Sequence, residues 1–193
     1  MTSKKIFILL GHPDKDTFSG EIATVYDAAA TVAGHEVRRL NIGDLAFDPI
    51  LHNGYKVIQS LEPDLLKVQE YMRWADHLVV VYPNWWCTMP ALLKGLFDRM
   101  FLPGFAFRFH KKGVGWDQLL AGKSARVIVC AGTHPLLIRL WFGDFTNEMK
   151  RAILGFAGYH PVRVRVFGPS EKMLDAKKER WLNEVRSLAR LGT

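Results

Sequence analysis

Two stretches of this chain carry residue types that do chemistry. The first is Gly11-His12-Pro13-Asp14-Lys15-Asp16-Thr17-Phe18-Ser19. It follows an apolar run, Ile6 to Leu10, and leads into residues at helical spacing. A loop entering a helix offers backbone N–H groups without intrahelical partners and the positive end of the helix dipole. Thr17 and Ser19 add hydroxyls, and His12 adds an imidazole donor. The set suits a phosphate or pyrophosphate. A helix cap with a polar loop accounts for the same residues, and the segment alone does not choose between the two.

The second stretch is Tyr82-Pro83-Asn84-Trp85-Trp86-Cys87-Thr88-Met89-Pro90-Ala91-Leu92-Leu93-Lys94-Gly95. Two adjacent tryptophans in a loop are costly to leave in water and hard to bury without a partner surface. A flat aromatic ligand is one such partner and another subunit is a second. Simple packing of both indoles on neighbouring helices is the bland alternative. Pro83 and Pro90 fix the shape of the loop between them.

Both stretches need elements that bring them together. Ile6 to Leu10 and Leu78 to Tyr82 are continuous apolar runs, as in strands buried on both faces. His35 to Leu40 reads as a shorter, more polar edge strand, and Val127 to Cys130 as a fourth strand. Val162 to Val166 alternates with period two. Between them, Ile22, Val25, Tyr26 and Ala29 recur at helical spacing up to Gly34, where the helix stops. Leu65, Val68, Met72 and Ala75 mark a second helix; Leu93, Leu96, Phe97 and Met100 a third, starting at Pro90. Met149, Ile153, Leu154 and Ala157 mark another, and Trp181, Val185 and Leu188 the last. Phe101 to Leu119 and Ala131 to Phe145 read as loop-rich.

Strands separated by helices imply an α/β fold, a five-stranded parallel sheet between two helical layers; right-handed crossovers leave few topologies, and the choice of a flavodoxin-like three-layer sandwich among them comes from the motifs. Segments after the strand ends then form the ligand crevice. The 193 residues suit a single domain, 1–193, with no repeat or internal boundary. No apolar run reaches the roughly 18 residues a membrane span needs. The start lacks a signal-peptide cleavage pattern, so the expected location is cytoplasmic, without membrane insertion.

Other chemistries find no support. Cys87 and Cys130 make no disulfide framework, and the seven histidines contain no H-x-x-x-H pair, so no metal site is expected. Gly122-Lys123-Ser124 resembles the end of a phosphate-binding P-loop, but Asp117 stands where its first glycine belongs, and a strand follows instead of a helix. Neither G-x-G-x-x-G after the first strand nor G-x-S-x-G is present. The net charge of +7 fits anionic small molecules, an anionic membrane surface or nucleic acid. The basic residues are scattered, and in the last helix they interleave with Glu171, Asp175, Glu179 and Glu184, so that helix reads as a solvated face and no nucleic-acid partner is expected.

The chain resembles the NAD(P)H:quinone oxidoreductase family, a flavodoxin-fold group that includes ancillary flavoproteins of potassium efflux systems. The likeness runs from Lys5 to about Pro161. It is carried by Gly11-His12-Pro13 through Ser19, Asp44 to Leu51, Tyr82-Pro83-x-Trp85-Trp86-x-x-Met89-Pro90-Ala91-Leu92-Leu93-Lys94-Gly95, Phe97 to Phe101, Phe105 to Phe107 and Ile153 to Gly158. The resemblance implies a flavin, FAD ahead of FMN, with NADPH or NADH as donor. It places the phosphate chain on His12, Thr17, Phe18 and Ser19, and the isoalloxazine ring beside Pro83, Asn84, Trp85 and Trp86. A loop after the fourth strand, here Cys130-Ala131-Gly132-Thr133, would hold the ring's pyrimidine edge through Gly132 and Thr133. That loop has lost two of the family's usual residues, so backbone contacts are expected there in place of hydroxyl ones.

The implied reaction is ping-pong: the nicotinamide gives a hydride to the flavin and leaves, and a quinone or other flat small-molecule acceptor takes two electrons in its place. The family's charge-steadying His falls on Phe142, and no tyrosine lies between Cys130 and Gly143. The catalytic proton donor is therefore unassigned, with His134 the candidate to stand in. The family's members are dimers, and Trp85, Trp86, Met89, Phe101, Leu102, Phe105 and Phe107 are expected to present apolar surface to a second copy in a homodimer. The alternative to a stand-alone enzyme is a redox-sensing ancillary subunit with a potassium efflux transporter as partner.

Overall fold

The computed structural model describes residues 2–171 and 173–193. Strands β1 (Lys5–Leu10), β2 (Glu36–Asn41), β3 (His77–Pro83), β6 (Ser124–Cys130) and β7 (Val162–Phe167) form one sheet in the order β2-β1-β3-β6-β7. Every pairing in it is parallel. This is the five-stranded flavodoxin-like arrangement expected from the apolar runs. β2 stands at the edge, although its six residues match β1 in length.

Alternation along each strand divides the core. Ile6, Ile8 and Leu10 of β1 and Val79 and Val81 of β3 pack against helices α1 (Phe18–Val32) and α5 (Asp175–Leu191). Phe7, Leu9, Val80 and Tyr82 turn to the other face. There they meet α2 (Pro63–Trp74), α3 (Ala91–Met100) and a π-helix, Glu148–Gly155. Each fully buried aliphatic side chain contributes about 1.5–3 kcal/mol of transfer free energy, so both helical layers are held by the sheet's two apolar faces. In the π-helix the buried residues Met149 and Leu154 are five apart, the spacing of a wider turn.

The two stretches read as loop-rich each hold a short element. Phe101 to Leu119 contains an antiparallel hairpin, β4 (Phe107–Phe109) with β5 (Trp116–Gln118). It is anchored by Trp116, which stacks on Phe156 at 4.4 Å and donates its Nε1–H to the Phe156 carbonyl. Ala131 to Phe145 contains α4 (Pro135–Phe142), whose sequence PLLIRLWF has no polar face to reveal it. Leu136, Leu140, Trp141 and Phe142 are exposed along it. Among the described residues no helix is long and apolar enough to cross a membrane.

The direction in which strands are added reverses at β1, which lies between β2 on one side and β3 on the other. The carboxyl ends of β1 and β3 therefore part company at a switch point, where such sheets open a crevice.

Candidate active site

The loop after β1 is shaped by its own hydrogen bonds. The Gly11 N–H donates to the Val81 carbonyl at 2.7 Å, carrying the β1–β3 pairing one residue further. His12 Nδ1 accepts from the Asp14 N–H at 2.9 Å, leaving Nε2 as the donor of the neutral ring. Asp14 Oδ1 accepts from the Asp16 N–H. Thr17 caps α1, its Oγ1 accepting from the Gly20 N–H at 3.3 Å. A Cβ on Gly20 would lie 1.8 Å from the Lys15 carbonyl oxygen, so only glycine lets the loop fold back onto the first helical turn. The first-turn N–H groups, among them those of Phe18 and Ser19, have no carbonyl four residues earlier in the helix.

The loop after β3 is held at both ends and strained at its tip. The Asn84 N–H donates to the Cys130 carbonyl at 2.7 Å. Trp85 and Thr88 exchange backbone hydrogen bonds at 3.0 and 3.1 Å, closing a two-residue turn over Trp86 and Cys87. Both central residues have positive φ, 52° and 62°. Such turns favour Asn-Gly; residues with a Cβ cost about 1–3 kcal/mol each in this conformation. The tip puts the Trp86 indole wholly in solvent, 99% exposed. Trp85 meets His12 edge-on at 5.4 Å, joining the two loops.

The third wall follows β6 and β7. Ser170 donates from both N–H and Oγ to the Ala131 carbonyl, at 2.9 and 3.0 Å. A Cβ on Gly132 would meet Glu171 Oε1 at 2.9 Å, so glycine gives this close approach its room. Burial pushes the Cys130 thiol up to about 12, partly offset by its hydrogen bond with Ser19, so the thiol stays protonated and unreactive at neutral pH.

These loops enclose one cleft of about 410 Å³ at the carboxyl edge of the sheet. His12, Thr17, Phe18, Ser19, Pro83, Asn84, Trp85, Trp86, Gly132 and Thr133 all line it. His134 does not. Its Nδ1 accepts from the Leu136 N–H and caps α4, and its ring borders a separate groove with Arg139 and Trp181. Among the described residues His12 is the one imidazole in the cleft. Phe142, where the resemblance puts the family's histidine, also lines it, as do Ile138, Ser170 and Glu171, which sequence reasoning missed. The last two follow a strand end, and the strand-end rule that located the other loops would have found them.

The expected apolar patch is also redistributed. Met89 and Phe105 are buried in the chain's own core, at 4% and 6% exposure, because they pack beneath the loops. Phe101, Leu102 and Phe107 are half-buried. Of the expected patch Trp85 and Trp86 stay exposed, and the outer side of α4 adds Leu136, Leu140, Trp141 and Phe142. No group of three or more His, Cys, Asp or Glu side chains is placed to hold a metal among the described residues.

A family profile described as flavodoxin-like fold matches residues 4–187. Rat ribosyldihydronicotinamide dehydrogenase [quinone] is 23% identical over 223 aligned positions, covering 97% of this chain and 93% of that one. A Haemophilus influenzae protein named as an uncharacterized NAD(P)H oxidoreductase is 28% identical, over 92% of this chain and 90% of its own length. The match to a Penicillium crustosum ribosyldihydronicotinamide dehydrogenase-like protein, 28% identical, spans only 57% of that protein. Among solved structures, Smu.1420 from Streptococcus mutans superposes with a TM-score of 0.83 at 30% identity, over 97% of this chain and 99% of that one.

Proposed function

The chain belongs to the flavodoxin-like fold family, and from that premise we propose that it is a flavin-dependent NAD(P)H oxidoreductase acting on a quinone or similar flat acceptor. The observation that carries this reading is the single cleft where a hydrogen-bonding loop, an aromatic loop and a glycine loop converge. Relatives named for NAD(P)H and quinone oxidoreduction over most of their length support it.

The residues present fit a flavin. Asn84 Oδ1 is buried in the cleft wall without a protein partner, an acceptor that a heteroaromatic N–H would satisfy. The first turn of α1, with Thr17, Ser19 and His12, would hold the phosphate. Pro83, Asn84, Trp85 and Trp86 would border the ring, and Gly132 and Thr133 would approach its edge by backbone. A second groove adjoins the cleft and shares Thr17, Phe18 and Ser170 with it. It offers room for an adenylate and favours FAD over FMN.

A flavin held in this cleft would supply hydride acceptance from a nicotinamide and delivery of the electron pair to an acceptor. The chain supplies position: the indoles of Trp85 and Trp86 would border the ring, and Ile138 and Phe142 add apolar side chains to the lining. His12 Nε2–H is the imidazole donor available to the phosphate. One flat wall serves donor and acceptor in turn, hence ping-pong kinetics.

The exposed Trp86 and α4 call for cover, which a second copy supplies in a homodimer about a twofold axis. Sedimentation is expected at about twice the 22.0 kDa chain mass. The activity itself is tested by steady-state NADPH and NADH oxidation in the flavin-loaded protein with a benzoquinone acceptor. Parallel double-reciprocal lines are expected; turnover no faster than that of free flavin contradicts the reading.

A further inference from the structure

At the opposite end of the sheet, where the strands begin, lies a cavity of about 210 Å³. Lys4, His77, Ser124, Pro161, Arg163 and Thr193 line it. Liquid water takes about 30 Å³ per molecule, so the cavity has room for a compact solute and its hydration. His77, the first residue of β3, is 1% exposed and sits at its inner wall. Its Nδ1 lies 2.8 Å from Ser124 Oγ, while its Nε2 is buried with no partner.

Three cationic side chains gather around this cavity. Lys4 and Arg163 line it, and Arg126 lies close enough that all three oppose a proton on His77. Lys4 Nζ donates to the Gly192 carbonyl at 2.8 Å and Arg126 Nε to the Thr193 backbone oxygen at 2.8 Å. Among the described residues none of the three is ion-paired with an Asp or Glu, whereas Arg38, Arg99, Arg165 and Arg186 all are.

A buried ring nitrogen without a partner and two cations, Lys4 and Arg163, facing the same cavity are each costly by themselves, and one ligand relieves both. We infer that this cavity is a binding site for a small multivalent oxyanion of the inorganic phosphate type, held by Arg163, Lys4 and His77 Nε2–H. The Ser124 hydroxyl, donating to Nδ1, fixes the proton of the neutral ring on Nε2. Arg163 at the exposed mouth supplies the planar pair of N–H donors that fits an oxyanion. The site lies a whole strand away from the cleft, since β3 runs from His77 to Pro83, and it stands whether or not the flavin reading does.

The test is a titration of histidine-¹⁵N-labelled protein with inorganic phosphate, ionic strength held constant with sodium chloride, followed at the His77 ring nitrogens. A saturable shift of His77 Nε2 is expected. Arg163→Gln, on an exposed edge-strand position, should weaken the midpoint by about tenfold or more with an unchanged melting temperature in phosphate-free buffer. Arg163→Lys, which keeps the charge and loses the planar fork, should weaken the midpoint less than Arg163→Gln does. No saturable shift at His77, a shift confined to His12 in the cleft, or an unaltered midpoint in Arg163→Gln overturns the inference.

Discussion

Thr88 donates a hydrogen bond of 2.6 Å from its Oγ1 to Glu148 Oε2, tying the tryptophan loop to the first residue of the π-helix. The bond spans 60 residues of sequence and closes the loop just after its strained turn. Thr88→Val should therefore cost about 1 kcal/mol of unfolding free energy and raise the flavin dissociation constant severalfold. Glu148→Gln keeps an acceptor and should do less of both. Urea unfolding and flavin fluorescence measure the two effects. If Thr88→Val leaves flavin affinity untouched, the tie does not position the loop.

The turn tip holds two residues with a Cβ at positive φ. Replacing Cys87 by Gly removes the steric strain at a φ of 62°, and the gain outweighs the added freedom of the unfolded chain by about 1 kcal/mol. Cys87→Gly should unfold at higher temperature, and Cys87→Val at lower temperature than wild type. The opposite order in differential scanning calorimetry would mean that the turn is not strained as described.

Trp86 and Val80 lie six residues apart and answer to different demands. The Trp86 indole is in solvent, whereas Val80 is fully buried in β3. Trp86→Ala should weaken flavin binding or turnover with little change in melting temperature. Val80→Ala opens a small core cavity and should cost about 2 kcal/mol while sparing flavin affinity. A thermal collapse of Trp86→Ala with normal flavin binding would assign the indole to packing.

His77 makes stability depend on pH. Burial first, then the positive charges of Lys4, Arg126 and Arg163, lowers its value from 6.5 to about 3. Below pH 6.5 the unfolded chain takes up a proton that the folded chain refuses. The contribution is therefore complete above about pH 6.5 and is lost as pH falls toward 3, at up to about 1.4 kcal/mol per pH unit. Urea unfolding at pH 7.5 and 5 should show a smaller loss in His77→Gln than in wild type. Equal losses in the two proteins would place the pH sensitivity elsewhere.

Much of the site was legible because its chemistry sits at the ends of apolar runs. Ile6–Leu10 and Leu78–Tyr82 announce buried strands, and the loops after them carry the hydroxyls, imidazole and indoles that line the cleft. Ser170 and Glu171 follow the end of β7 and fall under the same strand-end rule, but that strand reads as half-polar and its loop carries no paired chemistry to draw attention to them. The hairpin of three-residue strands is too short for period two to show. Trp86 and Cys87 are residue types that argue against positive φ, so the turn became visible only in the backbone. His134 follows a strand end as a site residue would, but its ring is taken up in capping α4.

The central claim is that the cleft holds a flavin, and direct titration of flavin-free protein with FAD and with FMN tests it. Quenching of flavin fluorescence by the neighbouring indoles reports binding. The predicted result is saturable one-to-one binding in the micromolar range or tighter, with FAD ahead of FMN, and weaker binding in Trp86→Ala. Failure of both flavins to bind below the high-micromolar range would contradict the account.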